Sequence, residues 1–193
     1  MKTIAFAAAF ALISGSVSAA DWTLDNEGSR LAFGSVKNEY TGEVHSFDQL
    51  SGTVKDGTAT VTIDLSSINT LVEIRNERMG EHVFKGAPTA KVSIPLDMTA
   101  VEGLAPGESA VVEVDGTLAF LGQDVDVFTE VFVMRVADDK VMVTTNDFLW
   151  VATDELGIDA GIDTLKGIAG LDSITRAVPV SIRLMFSSAK SAS

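Results

Sequence analysis

The chain contains no cysteine, and only two of its 193 residues are histidines, His45 and His82. Without cysteine there is no disulfide, no thiolate nucleophile and no iron–sulfur cluster. The histidines lie far apart, and neither stands four residues from another histidine, the spacing typical of metal-binding helices. G-x-S-x-G, P-loop and dinucleotide-binding motifs are missing too. We therefore predict no metal site, no required cofactor and no catalytic residue of these kinds.

Basic residues are scarce as well. The chain has 14 lysines and arginines against 27 aspartates and glutamates, a formal net charge of −13. Such an excess of negative charge disfavours binding to nucleic acid and to anionic membrane surfaces. We interpret most of the acidic residues as a solubilising surface.

Long hydrophobic runs are limited to the N-terminus. Lys2 precedes an apolar run from Ile4 to Ile13, and small residues follow it up to Ala19. This order is typical of a cleavable secretory signal peptide, residues 1–19, and the run is too short to span a membrane. Cleavage after Ala20 is the alternative. The sequence thus predicts a bacterial periplasmic protein with one domain in residues 20–193 and no stable membrane span.

Alternation of apolar and polar residues is abundant in the rest of the chain. The stretches TATVTIDL, TAKVSIPLDM and AVPVSIRLMF show it most clearly, and turn-forming pairs such as Asp56-Gly57 separate such stretches. About eight strands result, several of ten or more residues. Because long antiparallel strands must hide their edges, we predict a mainly β, eight-stranded antiparallel barrel of the lipocalin-like kind. A β-sandwich is the alternative, although its strands are usually shorter.

The stretch NTLVEIRNERMGEHVF interrupts this alternation. Thr70 followed by Glu73 forms a capping-box pattern, so we predict a short helix that starts there and ends near Gly80. Arg75 and Arg78 lie one turn apart on it. They either pair with neighbouring glutamates on the surface or form a cationic mouth for a polar head group.

A second interruption, DELGIDAGIDTLKGIAGLDS, also predicts a helix. Its apolar residues recur at helical spacing, and Gly170 provides a stop. These residues are Ile158, Ile162, Leu165 and Ala169. Both helices break a barrel pattern, so we expect one or two short helices that cap its opening.

Phenylalanines are frequent in the strand-like segments, and one such segment is apolar on both faces. In VDVFTEVFVMRV, Phe128 and Phe132 alternate with valines. Most aromatic side chains in strands belong to a core. A strand apolar on both sides is also expected where one face lines a cavity and the other contacts a second apolar surface. A tunnel for a long hydrocarbon needs such a lining with few polar anchors.

Several stretches together resemble one family. The opening DWTLDNEGSRLAFGSVKNEYTGEVHSFDQLSGTV, the central IDLSSINTLVEIRNERMGEHVFKGAPTAKVSI, the later GTLAFLGQDVDV and the closing NDFLWVATDELGID with VPVSIRLMF are similar, in order and spacing, to YceI-like proteins of the bacterial periplasm. The resemblance implies an eight-stranded barrel with helices at its opening. It also implies a non-enzymatic carrier that holds a polyisoprenoid lipid or an isoprenoid quinone in the barrel interior.

From the helices, the aromatic residues and this resemblance we select candidate ligand-contacting residues. They are Phe33, Phe47, Ile68, Leu71, Arg75, Phe84, Phe120, Phe128, Phe132, Phe148, Trp150, Ile162 and Leu165.

Two other functions stay open at this point. One is a stress or interaction protein with a filled core. The other is a barrel hydrolase or isomerase that uses carboxylates at the rim, for which the candidates are Asp126, Glu130, Asp147 and Asp154. The expected partner is a hydrophobic small molecule, and the sequence leaves a homodimer open.

Overall fold

A computed structural model describes residues 21–188. The predicted signal peptide and its cleavage site lie outside this range. Within it, the chain forms eleven β-strands and three α-helices. The strands are β1 (Trp22–Lys37), β2 (Thr41–Phe47), β3 (Leu50–Lys55), β4 (Thr58–Asp64), β5 (Ile68–Asn69), β6 (Thr89–Pro95), β7 (Ser109–Phe120), β8 (Gln123–Ala137), β9 (Lys140–Thr145), β10 (Leu149–Ala152) and β11 (Ala177–Ser188). The helices are α1 (Glu73–Arg78), α2 (Thr99–Glu102) and α3 (Asp159–Ala169).

The strands close into an antiparallel barrel. β2 and β3 pair with successive parts of β1, and β9 and β10 pair with successive parts of β11, so each pair acts as one interrupted strand. The order around the barrel is then β1, β2–β3, β4, β6, β7, β8, β9–β10 and β11, and pairing of β11 with β1 closes the ring. The prediction of an eight-stranded closed barrel is confirmed.

Tight turns join neighbouring strands. Asp56 and Gly57 both have positive φ and connect β3 to β4, the geometry that matches the twist of a hairpin. Between β7 and β8 the turn residues are Leu121 and Gly122, which also have positive φ, and Gln123 pairs with Phe120 on either side of them.

One end of the barrel is filled with side chains. Trp22 and Leu24 at the start of β1 are buried there with Leu184 and Phe186 near the end of β11. The guanidinium of Arg135 lies 5.1 Å from the centre of the Trp22 ring. These residues form a solid floor, and the helices α1 and α3 lie at the opposite end.

The first helix differs from its prediction in two ways. It begins after Val72 and has no side-chain cap, because the Thr70 hydroxyl donates to the Asn76 side chain (2.6 Å). It also continues beyond Gly80, as a π-helical turn Met79–Val83 in which the Phe84 N–H donates to the Met79 carbonyl (2.9 Å). The capping box is therefore wrong, since Thr70 bonds to Asn76 instead, and the predicted end is wrong, since the π-helical turn extends the segment to Val83.

The second helix follows its prediction and packs on the first. Gly170 ends α3 in the left-handed conformation, as expected. At Gly161 the backbone of α3 approaches the carbonyl of His82 so closely that a Cβ atom would clash with its oxygen. Arg176 ties the start of α3 to the barrel through Asp159 (3.2 Å) and Asp163 (2.6 Å). The two helical segments thus form one roof over the open end.

Candidate functional site

A cavity of about 630 Å³ occupies the barrel between the floor and the helices. Its volume lies within the range of about 300–1,000 Å³ typical of small-molecule sites. The lining is mostly apolar because inward positions alternate along each strand, as in Val127, Thr129 and Val131 of β8. The roof contributes Met79, Ile162 and other apolar residues. The barrel is therefore hollow rather than filled.

The cavity wall changes from apolar to polar along the hairpin of β1 and β2. Leu31 and Phe33 point inward first, and Ser35 and Lys37 follow on the same face of β1. Phe47, His45 and Glu43 repeat this order on β2, where Phe33 pairs with His45 and Ser35 with Glu43. The polar residues lie toward the β1–β2 turn, so the hollow has an apolar interior and a polar end.

Glu43 is the centre of this polar end. Its carboxylate accepts from Lys37 (3.0 Å) on one oxygen and from Arg75 of α1 (2.7 Å) on the other. The same guanidinium donates to the carbonyl of Thr70 (2.6 Å). These contacts fix α1 to β2 across the mouth of the cavity. Arg75 therefore holds α1 against β2 and also lines the cavity.

Burial and neighbouring charges set the ionisation of Glu43 and His45 in the cavity wall. Burial disfavours the ionised form of Glu43, but hydrogen bonds and charges from Lys37 and Arg75 outweigh it and lower the pKa of the carboxyl. For His45, burial and the nearby Arg75 charge lower the pKa of the imidazole, with Glu43 opposing them. Glu43 is therefore ionised and His45 neutral near pH 7.

Three polar groups at the polar end have no hydrogen-bond partner among residues 21–188. The Nε of Arg75 and the Nδ1 of His45 are buried without one, although the Nε2 of His45 lies 3.0 Å from the Ser35 hydroxyl. Arg78 lines the cavity and forms neither a hydrogen bond nor an ion pair within the described range. Buried polar groups are nearly always paired in folded proteins, so these atoms indicate a place for a polar ligand group.

Aromatic rings connect this polar end to the deeper wall. Phe33 lies 5.2 Å from His45 and 5.6 Å from Phe47, measured between ring centres. Phe47 lies 5.8 Å from Phe84, which meets Phe120 edge-on at 6.3 Å. This row provides a continuous aromatic surface along one side of the hollow.

Seven of the thirteen candidate ligand-contacting residues line the cavity. Four are the phenylalanines of this row, one is Arg75 of α1, and two come from α3. They are Phe33, Phe47, Arg75, Phe84, Phe120, Ile162 and Leu165.

The remaining six lie outside the cavity, which corrects their expected placement. Val127 and Val131 take the inward positions of β8, and Leu149 and Val151 those of β10, so the aromatic residues between and beside them face out. Phe128, Phe148 and Trp150 are each more than 60% exposed, and Phe132 is half-buried on the same outer face. Ile68 is buried in the core but does not reach the cavity, and Leu71 is 85% exposed.

Leu71 is displaced because the chain turns before α1 begins. Its φ is +62°, a left-handed conformation rare for leucine, and its N–H donates to the side chain of Asn69 (3.0 Å). Leu71 therefore lies before α1 and does not reach the cavity.

The carboxylates considered for catalysis do not meet in the hollow. Asp126, Glu130, Asp147 and Asp154 are all exposed and none lines the cavity. Residues 21–188 contain no group of three potential metal ligands and no helix long and apolar enough to cross a membrane.

Ser35, Lys37, Glu43 and His45 are the site residues that the sequence analysis missed. Histidines isolated in sequence are more often rim residues, which gives His45 no weight as a site residue before the fold is known. A usable signal was present. Positions 31, 33, 35 and 37 change from apolar to polar along one face of a strand, and a partner strand repeats the change.

Comparison with known proteins gives a consistent result. A family model described as a YceI-like domain matches residues 22–186. The chain is similar to a solved polyisoprenoid binding domain from Saccharophagus degradans implicated in plant cell wall breakdown. The two share 36% identity over 87% of this chain and 98% of that chain, with a TM-score of 0.85. Burkholderia cenocepacia BcnA has the same fold at 19% identity, with 84% of this chain and 98% of that chain covered and a TM-score of 0.65. A search of curated protein sequences found no match.

Proposed function

Because the chain belongs to the YceI-like domain family and encloses an apolar hollow with a polar end, we propose that it binds and carries an isoprenoid amphiphile. A polyisoprenoid lipid or an isoprenoid quinone has the required form, a long hydrocarbon tail with one polar head. The tail occupies the barrel and the head lies beside Arg75, Arg78 and His45. The observation that carries this proposal is the cavity of about 630 Å³ with its apolar lining.

Burial of the tail supplies the binding free energy. Each CH₂ group removed from water contributes roughly 0.8 kcal/mol, so a prenyl chain is held without special chemistry. The similarity to a polyisoprenoid binding domain over nearly its whole length supports the same class of ligand.

The unpartnered donors favour a head group that accepts hydrogen bonds. Arg75 Nε and the Arg78 guanidinium offer N–H groups and no acceptor. A quinone carbonyl or a phosphate ester oxygen matches them, whereas an ammonium head group does not.

A binding role is favoured over catalysis. A general acid or base in a cavity is expected to have a pKa moved toward neutrality. Glu43, the acid in this wall, instead has a lowered pKa and two cationic partners. We therefore propose no catalytic residue and no cofactor beyond the bound ligand.

The proposed site of action is the periplasm. The predicted signal peptide supports export, and an exported protein without cysteine depends on core burial rather than on disulfides. Fractionation of bacteria that express the full chain tests this, and a cytoplasmic unprocessed product would contradict it.

Native mass spectrometry of protein purified from a bacterial host without detergent tests the ligand. We expect a copurifying isoprenoid that organic extraction releases. Val114→Trp fills the cavity from β7 and should abolish copurification of the isoprenoid, while Val111→Trp on the outer face of the same strand should leave it unchanged. Folded wild-type protein with an empty cavity under these conditions would refute the carrier role.

A further inference from the structure

A seam interrupts the hydrogen-bonded wall of the barrel between β8 and β10. β8 pairs with β9 from Val131 onward, but its residues 124–129 pair only with β7. β10 pairs only with β11. No backbone hydrogen bond joins β8 to β10 in the described part of the chain. The two strands therefore face each other with unpaired edges, which a closed barrel otherwise avoids.

The seam has defined ends. On the floor side, the Asn146 N–H donates to the Glu130 carbonyl (3.0 Å), and on the roof side the Gln123 side chain lies against Gly157. Residues 124–129 lie between these contacts and span about 20 Å of extended strand. The interruption is therefore confined to the half of the barrel nearer the roof.

The inner side of the seam opens on the hollow. Val127 on β8 and Leu149 on β10 both line the cavity. The register of β8 with β9, in which Val131 pairs with Thr145, continues so as to place these two residues level with each other. Apolar side chains thus border the seam on the inside, in continuity with the lining of the cavity.

The outer side of the seam is aromatic. Phe128 on β8, and Phe148 and Trp150 on β10, each expose more than 60% of their surface. The same register places Phe128 level with Phe148. Exposed apolar clusters of this kind usually mark a binding surface. Both sides of the seam are therefore suited to contact with hydrocarbon.

Acidic residues on the outer face limit what can bind there. Asp126 and Asp147 are exposed next to these rings, and neither forms an ion pair or a hydrogen bond within residues 21–188. A broad apolar partner, such as a bilayer or a flat protein face, would bury these carboxylates unpaired, which is costly. A single hydrocarbon chain lying between the rings would leave them in water. The charge pattern therefore favours a narrow apolar occupant.

The limited size of the hollow makes the tail of the ligand such an occupant. An apolar cavity of about 150 Å³ holds one benzene molecule, so a cavity of about 630 Å³ holds roughly 25 carbon atoms, or about five prenyl units. The buried residues around Trp22 close the end opposite the helices. The excess carbons of a longer tail therefore need another way out, and the seam lies in the cavity wall.

We propose that the seam is a lateral exit through which the distal part of a long isoprenoid tail leaves the hollow and lies between Phe128, Phe148 and Trp150. The head stays at the polar end, and the outer aromatic side chains shield carbons that the barrel does not enclose. This inference rests on the proposed function and adds to it a second apolar subsite, used by tails of more than about five prenyl units.

Fluorescence of Trp150 tests the exit. The chain has two tryptophans, and Trp22 is buried in the floor, so the water-soluble quencher acrylamide reaches mainly Trp150. Protein refolded after organic extraction is loaded with farnesol, which has three prenyl units, or with solanesol, which has nine, and native mass spectrometry measures the occupancy. We expect solanesol to reduce the quenching and to shift the emission to shorter wavelength, because it covers the indole, and farnesol to change neither. In Trp150→Phe the two alcohols should give the same emission.

Removal of the outer rings gives an independent test. Phe128→Ser combined with Phe148→Ser should weaken solanesol binding by about tenfold, because apolar contact area is lost, and should leave farnesol binding unchanged. Val111→Ser is the matched control, since Val111 is an exposed apolar residue on the outer face of β7, away from the seam. Circular dichroism of each variant establishes that the fold is retained.

The possible failures separate the exit from the carrier role. The exit is overturned if solanesol does not bind where farnesol does, if solanesol binds without shielding Trp150, or if the double variant and Val111→Ser have the same affinity for solanesol. Each of these outcomes leaves the proposed function intact. Failure of both alcohols to bind would overturn the carrier role and the exit together.

Discussion

His45 is buried in the cavity wall and has a lowered pKa, which makes stability depend on pH. In the unfolded chain the imidazole binds its proton below about pH 6.5, while in the barrel it does so only at lower pH. The unfolded state therefore binds more protons in this window, and the free energy of unfolding falls as pH drops from about 6.5. Below about 4.5, protonation of Glu43 lowers it further, because the folded pKa of that carboxyl is also depressed.

We expect the loss below pH 6.5 to disappear in His45→Gln, in which the amide can still bond to Ser35. Urea unfolding at about pH 7.5 and about pH 5.5 measures the difference in the free energy of unfolding between the two pH values. His82→Gln removes the other histidine and should retain the loss. Equal pH dependence in the two variants would contradict the assignment to His45.

Two phenylalanines that look alike in sequence have opposite environments. Phe120 is 6% exposed and closes the aromatic row, whereas Phe128 is 66% exposed on the outer face of β8. We expect Phe120→Ala to lower the free energy of unfolding by about 3 kcal/mol. Phe128→Ala should change the free energy of unfolding by less than about 1 kcal/mol. Urea titration of both variants at low protein concentration checks the contrast, and similar costs would mean that Phe128 is not on the outside.

At the scale of elements, the roof depends on one close backbone contact. Gly161→Ala would push a methyl group against the His82 carbonyl and separate α3 from the π-helical turn, at a cost of about 1–3 kcal/mol. Gly167→Ala in the same helix meets nothing within 4 Å and should stabilise by about 0.5–1 kcal/mol, because glycine is a poor helix former. Thermal unfolding of the two variants measures this difference. A stabilising Gly161→Ala would show that the helices do not touch there.

Elements with a strong period are predictable, whereas those held by distant contacts are not. Period two identifies the long strands, and Gly170 correctly ends α3. The start of α1 depends on hydrogen bonds from Thr70 to Asn76, and its extension to Val83 depends on packing against α3. Neither the Thr70–Asn76 hydrogen bonds nor the packing on α3 follows from the hydrophobic period or from the capping pattern. Leu71, in a left-handed turn, was misplaced for the same reason.

At the scale of the whole molecule, bound ligand and stability are linked. A ligand at 100 times its dissociation constant stabilises the folded state by about 2.7 kcal/mol. We expect protein with its copurified lipid to melt at a higher temperature than protein refolded after organic extraction, and added lipid to restore the difference. Differential scanning calorimetry measures it. Equal melting temperatures for loaded and stripped protein would argue against occupation of the hollow.

The sequence does not always identify which face of a strand lies inside the barrel. In β4, polar residues alternate with apolar ones, so the apolar face is the one expected inside. For β8 both faces are apolar, so Phe128 and the valines are equally good candidates for the inside. Barrel closure decides the matter, since the pairing of β8 with β7 and β9 turns the valines inward.

The buried residues around Trp22 close the barrel at the end opposite the helices. If a tail enters from the helix end, as proposed above, it has a fixed depth available to it, and any carbons beyond that depth double back or protrude from the barrel. Chain length, and not only chemistry, would then decide which isoprenoids the barrel encloses.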